Sequence, residues 1–324
     1  MAERKSFQNR KKFQKKHLEV FWRRGQIFDA FVDEYMKSSV HLLGYKQLKK
    51  AGEEYEIAVL GSDQVWNPIN SGSDFYTLNW LPNSTKRIAY ASSFGVSRIP
   101  ILLKGFYKRF LKKFDFISVR ETRGVELVKE LIDRDVQVTC DPTMLFDASE
   151  WDEVAGETPI VEGDYIFCYF LGNRDEPRKC VIKFSEAVGL KLVMMPFFGE
   201  ISEMDYTMPA EYVDNPGPRE FINAIKYARY VCTDSFHGTV FSVIFQKEFM
   251  VFRRHTSDSN KDTFSRLESL LKMLGVENRS VPDDVFLDVA FENKIKRRNR
   301  IAGRRRICNS VRKHRGMLWM WSMP

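Results

Sequence analysis

Short apolar runs recur along this chain, each ending in a Gly-, Asp- or Ser-bearing loop and followed by a stretch with helical spacing. YEIAVL (Tyr55–Leu60) stops at Gly61, and RIAYASSFG runs from Arg87 to Gly95. FDFISVR ends at Arg120, and Val136–Cys140 ends in Asp141-Pro142-Thr143. A polar stretch over 147–163, with Gly156, Pro159 and Gly163, separates these from a second series. That series is Tyr165–Gly172, Leu190–Pro196, Tyr230–Thr233 and Phe249–Phe252. Helical spacing fills the gaps at Ile101–Phe114, Thr122–Leu131, Pro177–Val188, Pro218–Ala228, Thr239–Gln246 and Thr263–Leu274. Strands that alternate with helices are joined by crossovers, and crossovers make parallel sheets. The fold class expected is therefore α/β, as two Rossmann-like domains facing a cleft, over 1–157 and 158–290, with a basic helix or tail over 291–324. Ligands of such sheets bind beyond the carboxyl ends of the strands.

Charge narrows the partners. The 324 residues carry a net charge of +8. Residues 1–16 hold seven Lys/Arg and one acid, and residues 294–324 hold eleven Lys/Arg and no acid. The body between them is therefore acidic, which argues against a nucleic-acid partner. The tail mixes Ile295, Ile301, Ile307 and Val311 with its basic residues and ends near Trp319 and Trp321. Such a segment suits an anionic membrane surface, and equally a solvated tail or a last helix packed on the body. No apolar run approaches the ~18–20 residues of a membrane span, and no apolar segment follows the basic start. The expectation is a cytoplasmic protein, peripheral at the inner face of the plasma membrane if the tail binds there. The five cysteines form no CxxC pair and no metal-ligand spacing, so they read as reduced and structural, with no metal.

Several polar residues stand at strand ends. His237 and Gly238 follow Asp234 and Ser235 where a strand turns into a helix. Free N–H groups at such a start favour anions, and Gly238 lets a ligand approach the backbone. The plain alternative is a helix cap by Asp234 or Ser235 with His237 merely exposed. Arg120 offers a fork of donors suited to carboxylate or phosphate, or an ion pair with Glu121. Asp63 and Gln64 follow the first strand; Asp63 either meets a sugar hydroxyl or caps a turn. Trp66 either stacks on a sugar or fills the core. Ser92, Ser93 and Asp141 lie at equivalent strand ends.

Taken together, GSDQVWNP, RIAYASSFG with ISVRE, CDPTMLF, and YVCTDSFHGTVFSVIFQKEFMVF preceded by PREFINAIKYA resemble the polysaccharide pyruvyl transferase family in order and spacing, over about residues 53–275. The resemblance implies a GT-B-like scaffold and a transferase that moves pyruvate from phosphoenolpyruvate onto a sugar as a ketal. It implies no cofactor beyond that co-substrate, and a sugar or lipid-linked oligosaccharide acceptor for capsules, exopolysaccharides or cell-wall glycans. It assigns Arg120, Ser235, His237 and Gly238 to the donor, with His237 as acid. Asp63, Gln64, Trp66, Ser92 and Ser93 fall to the acceptor, with Asp63 as base. The same scaffold would serve a nucleotide-sugar glycosyltransferase, or a glycan-binding protein without catalysis. Family members open with an apolar strand, a loop, a helix and a further strand. Here the region before Tyr55 is helical and basic, so the expectation is a first domain lacking its first strand–helix–strand unit, with a gap or an open sheet edge.

Overall fold

The computed structural model describes residues 18–36, 42–70, 74–195, 197, 202–214, 216–256 and 264–282. The tail expected over 291–324, the basic residues 1–16 and Cys308 lie outside the described residues. The described chain forms two compact α/β units, each around its own parallel sheet.

The first unit holds α2 (Gly44–Gly52), β1 (Ile57–Leu60), β2 (Lys86–Ser92), α3 (Ile101–Leu111), β3 (Phe116–Val119), α4 (Thr122–Ile132) and β4 (Gln137–Val138). Its strands are parallel in the order β1-β2-β3-β4. Every crossover steps the same way, and crossovers are right-handed, so α3 and α4 fall on one face. The core follows them: Leu60, Ala89, Ile117 and Val119 from the strands meet Tyr107, Phe110, Leu111 and Leu127 from the helices. On the opposite face Ile57, Val59 and Phe116 remain 53%, 62% and 41% exposed. No described strand pairs with the outer edge of β1. Lys86 lies 5.8 Å over the Phe116 ring, a charge on an otherwise apolar face.

The second unit holds α5 (Ala148–Ala155), β5 (Tyr165–Tyr169), α6 (Asp175–Val188), β6 (Lys191–Met194), β7 (Ala210–Tyr212), α7 (Pro218–Tyr227), β8 (Tyr230–Thr233), α8 (Phe236–Ile244) and β9 (Glu248–Val251). All strands are parallel, in the order β7-β6-β5-β8-β9. From β5 the chain winds outward through β6 to β7, then returns to β8 and winds the other way. That reversal puts a topological switch point between β5 and β8, where such sheets open a crevice. The strands read as continuous apolar runs because both faces are covered: Tyr165, Ile166, Phe167 and Cys168 are all buried.

Three helices depart from the expected split at residue 157. Helices α1 (Leu18–Tyr35) and α5 group with the second sheet, and α9 (Ser265–Leu274) with the first. Sequence order gives α1 no partner, but its half-buried stripe Arg24, Ile27 and Phe31 needs one. That partner is α7. Gly217, just before α7, leaves room for Ile27: a Cβ there would lie 2.3 Å from Ile27 Cγ2. Arg219 donates to the Glu34 carboxylate at 2.9 and 3.0 Å and lies over the Tyr35 ring. Helix α9 packs on α4, where the Thr122 N–H donates to Ser269 Oγ at 3.3 Å. Cys140, Cys168, Cys180 and Cys232 are buried free thiols. Among the described residues no helix is long and apolar enough to cross a membrane.

Candidate functional site

The carboxyl ends of β1, β2 and β3 carry a connected polar cluster. Asp63 follows β1 with φ of 72°, the left-handed region that few non-Gly residues adopt. It bridges to Ser92, and its carboxylate stays 65% exposed. Arg120 ends β3 and is buried. Its Nη1 donates to Asp141 Oδ2 at 2.6 Å and its Nη2 to Asp63 Oδ1 at 3.3 Å. Ser62 Oγ lies 2.9 Å from the same Asp141 oxygen, and Asp141 Oδ1 accepts from the Thr143 N–H and hydroxyl. Arg120 is thus ion-paired with Asp141 and Asp63. Its charge is offset within the cluster, and its geometry is that of a brace behind Asp63.

Glu121 instead turns inward. Its Oε1 accepts from Ser93 Oγ and the Phe94 N–H, both at 3.0 Å. Burial pushes its carboxyl above the ordinary value, against the pull of Arg120, Ser93 and Arg266. Ser92 and Ser93 are wholly buried, with Ser92 Oγ donating to the Gly61 carbonyl, so neither faces an acceptor. Trp66 is 2% exposed and packs against Phe94, Phe110 and Phe114. Its ring is a core element and offers no face to a sugar. Gln64 is half-buried; turned with its oxygen toward Arg266, its amide accepts at 2.8 and 3.1 Å. Of the five residues expected on the acceptor side, only Asp63 presents a reactive group outward.

The second cluster lies at the switch point of the other sheet. Ser235 is the N-cap of α8, its Oγ accepting from the Gly238 N–H at 3.2 Å, and its own N–H bonds Thr233 Oγ1. Gly238 is required sterically, since a Cβ would meet Thr233 Oγ1 at 2.7 Å. His237 stands half-buried in the first turn, against the Phe236 ring. Asp234 is buried and accepts from the Leu171 and Gly172 N–H groups at 2.7 and 2.9 Å. Burial raises its pKa, while Arg254 and the two amides oppose the rise. The motif caps the helix through Ser235 rather than Asp234, and His237 stands in its first turn.

The sequence profile of the polysaccharide pyruvyl transferase family matches residues 3–256, most of the chain. The chain belongs to that family. Among solved structures it is similar to a UDP-GlcNAc 2-epimerase from Neisseria meningitidis, at 9% identity and a TM-score of 0.47, over 85% of this chain and 80% of that one. It is also similar to a UDP-GlcNAc 2-epimerase from Methanocaldococcus jannaschii, at 12% identity and 0.43, over 78% of each chain. A glycosyltransferase from Rickettsia africae follows, at 12% and 0.42, over 89% of this chain and 87% of that one. No curated protein sequence matches it.

Within this pyruvyl transferase family member, reading the sequence misses the surroundings of Asp234, where Arg254 and Arg178 both act on its carboxylate. Asp234 reads there as a cap, but its carboxylate ties the β8 end to the β5–α6 loop. Arg254 follows β9, with Nη2 3.5 Å from the Asp234 carbonyl. Arg178 is buried in α6, donating to both Asp205 oxygens and to the Gly172 carbonyl. A basic residue just past a strand is a legible signal for Arg254. Nothing in the sequence marks Arg178, because its partner lies 27 residues away in a single 3-10 turn, Glu203–Tyr206.

Proposed function

We propose that this protein transfers pyruvate from phosphoenolpyruvate onto two hydroxyls of a sugar in a polysaccharide or lipid-linked glycan precursor. The observation that carries the reading is His237 in the first turn of α8, at the switch point, with Arg254 reaching the Asp234 carbonyl just before that helix. A helix start and a guanidinium suit a small anion bearing phosphate and carboxylate. His237 protonates C3 of the enol, which makes C2 electrophilic. One sugar hydroxyl adds to C2; the second displaces phosphate and closes the ketal. Of the two hydroxyl protons, one replaces that given to C3 and the other leaves with phosphate. Asp63 is the base on the acceptor side, exposed and braced by Arg120, so Arg120 acts as a positioning residue rather than as the donor clamp. The reading calls on no cofactor beyond the co-substrate. The basic residues 294–324 would hold the chain at an anionic membrane face, where a lipid-linked acceptor resides.

Phosphate release from phosphoenolpyruvate with a glycan acceptor tests this, with nucleotide release from sugar nucleotides as the control. His237→Ala should lower phosphate release by about 10²–10⁴-fold with an unchanged melting temperature. Wild-type-like turnover in that variant, or nucleotide release in place of phosphate release, would sink the assignment.

A further inference from the structure

Helix α3 of the first unit has two unlike faces. Inward, Leu103, Phe106, Tyr107, Phe110 and Leu111 join the core over the sheet. Outward, Lys104, Lys108 and Arg109, with Lys112 and Lys113 just past the last turn, are all exposed, and residues 101–113 contain no acid. Positions 101, 105, 108 and 112 recur at helical spacing, so one outer row runs Ile101, Gly105, Lys108, Lys112. Among the described residues none of these five cations has an ion pair. The acids of the neighbouring elements are engaged elsewhere. Glu126 and Glu130 of α4 pair with Arg123 at 2.6 and 2.8 Å, Asp133 and Asp135 pair with Lys129, and the Asp115 carboxylate accepts from the Arg87 N–H at 2.7 Å. The start of the same helix is apolar without serving the core: Ile101 and Leu102 are 84% and 96% exposed. Ile69, between β1 and β2, is exposed as well, and its loop is tied to α3 by the Tyr107 hydroxyl, which donates to the Trp66 carbonyl at 2.8 Å. Because α3 follows β2, it begins at the carboxyl end of the sheet, the end that carries Asp63.

We infer that the outer face of α3, with Ile101 and Leu102 at its start, is a docking surface for an anionic lipid bilayer. Charge complementarity sets the sign of the partner: unpaired cations along one face attract a surface of negative headgroups. The aliphatic pair sets its class. Ile101 and Leu102 gain by leaving water for the acyl boundary. A nucleic-acid backbone would engage the cations and leave both aliphatic side chains in water. Long Lys and Arg stems let the charges meet the headgroups while Ile101 and Leu102 sit deeper. This surface lies on the first unit and is separate in sequence from the basic residues 294–324. It stands on α3 alone; that it brings a lipid-linked acceptor to the end of the sheet bearing Asp63 rests on the function proposed above.

Co-sedimentation of the full chain with vesicles tests the surface, using phosphatidylglycerol and phosphatidylcholine in equal parts and phosphatidylcholine alone. Lys108→Gln combined with Lys112→Gln is compared with Lys46→Gln combined with Lys50→Gln, the same charge change on the exposed face of α2. The α3 pair should weaken binding to the anionic vesicles by about 20-fold and flatten its salt dependence. The α2 pair should change binding less than about twofold. Leu102→Ser should weaken it by about fivefold or more with the salt dependence unchanged. Melting temperatures should stay within a few degrees of wild type, since all these side chains are exposed. Equal binding by the α3 pair and wild type overturns the inference, as does an equal loss in the α2 pair, a Leu102→Ser variant that binds like wild type, or a wild type that ignores anionic vesicles. Binding of a single-stranded oligonucleotide that needs Lys108 and Lys112, where vesicle binding does not, also overturns it and assigns the face to nucleic acid. If vesicle binding needs Lys108 and Lys112 but phosphoenolpyruvate gives no transfer, the surface stands and the transfer reading falls.

Discussion

The two sheets share parallel strands and charged residues at their carboxyl ends, yet those charges do different work. In β7-β6-β5-β8-β9 the winding direction reverses between β5 and β8, the kind of point at which parallel sheets bind ligands. In β1-β2-β3-β4 it never reverses. There the polar groups close on one another: Arg120 with Asp141 and Asp63, Glu121 with Ser93 and Phe94. At the switch point Asp234 is tied to the Leu171 and Gly172 amides, Arg254 reaches the Asp234 carbonyl, and His237 stands in the first turn of α8. What a basic residue after a strand packs against therefore differs with strand order, which the residue itself does not reveal.

The contrast can be broken most strongly through the buried ion pairs. Asp205→Ala leaves Arg178 charged and enclosed, and should cost about 3–5 kcal/mol of stability by denaturant unfolding. Asp141→Ala should cost less, about 1–3 kcal/mol, because Asp63 still pairs with Arg120. Equal costs would show that the first cluster is no more self-contained than the second. Gly238→Ala crowds Thr233 and should cost about 1–3 kcal/mol, together with phosphate release. Retained activity there would separate the α8 turn from the chemistry.

Glu121→Gln addresses the closed cluster by pH. The raised carboxyl is stable as the neutral form, so its contribution is full below the ordinary value of 4.5 and fades as pH climbs through the raised one. The melting temperature of Glu121→Gln relative to wild type should thus improve from acidic to neutral pH. A constant difference would remove Glu121 from the titrating groups. The smallest effect is expected for Asp63→Gly, where relief of the left-handed strain offsets the lost ion pair. Stability should move by less than about 1 kcal/mol while transfer falls.

The strand–helix alternation was legible because each strand is a continuous apolar run bounded by loop residues. Helix α8 begins at Phe236 rather than Thr239, because Ser235 caps it earlier than apolar spacing suggests. Helix α2, helix α5 and strand β7 escape the pattern: α2 is mostly polar and exposed, and β7 is only three residues. His237, Gly238 and Asp63 were readable from their places after strands. Trp66, Ser92 and Ser93 were not distinguishable from ligand groups by type, since burial depends on α3 folding over the sheet.

The pairing of α1 with α7 also imposes an order on synthesis. Glu34 and Arg219 are separated by 185 residues. At about 5–20 residues per second, α1 waits roughly 10–40 s before its docking partner is made. During that interval Ile27 and Phe31, together with the exposed Trp22 and Phe28, form an amphipathic helix with no surface to rest on. Docking of α1 is thus among the last steps open to the nascent chain, and a translation product stalled before Arg219 would carry the first sheet with α1 undocked.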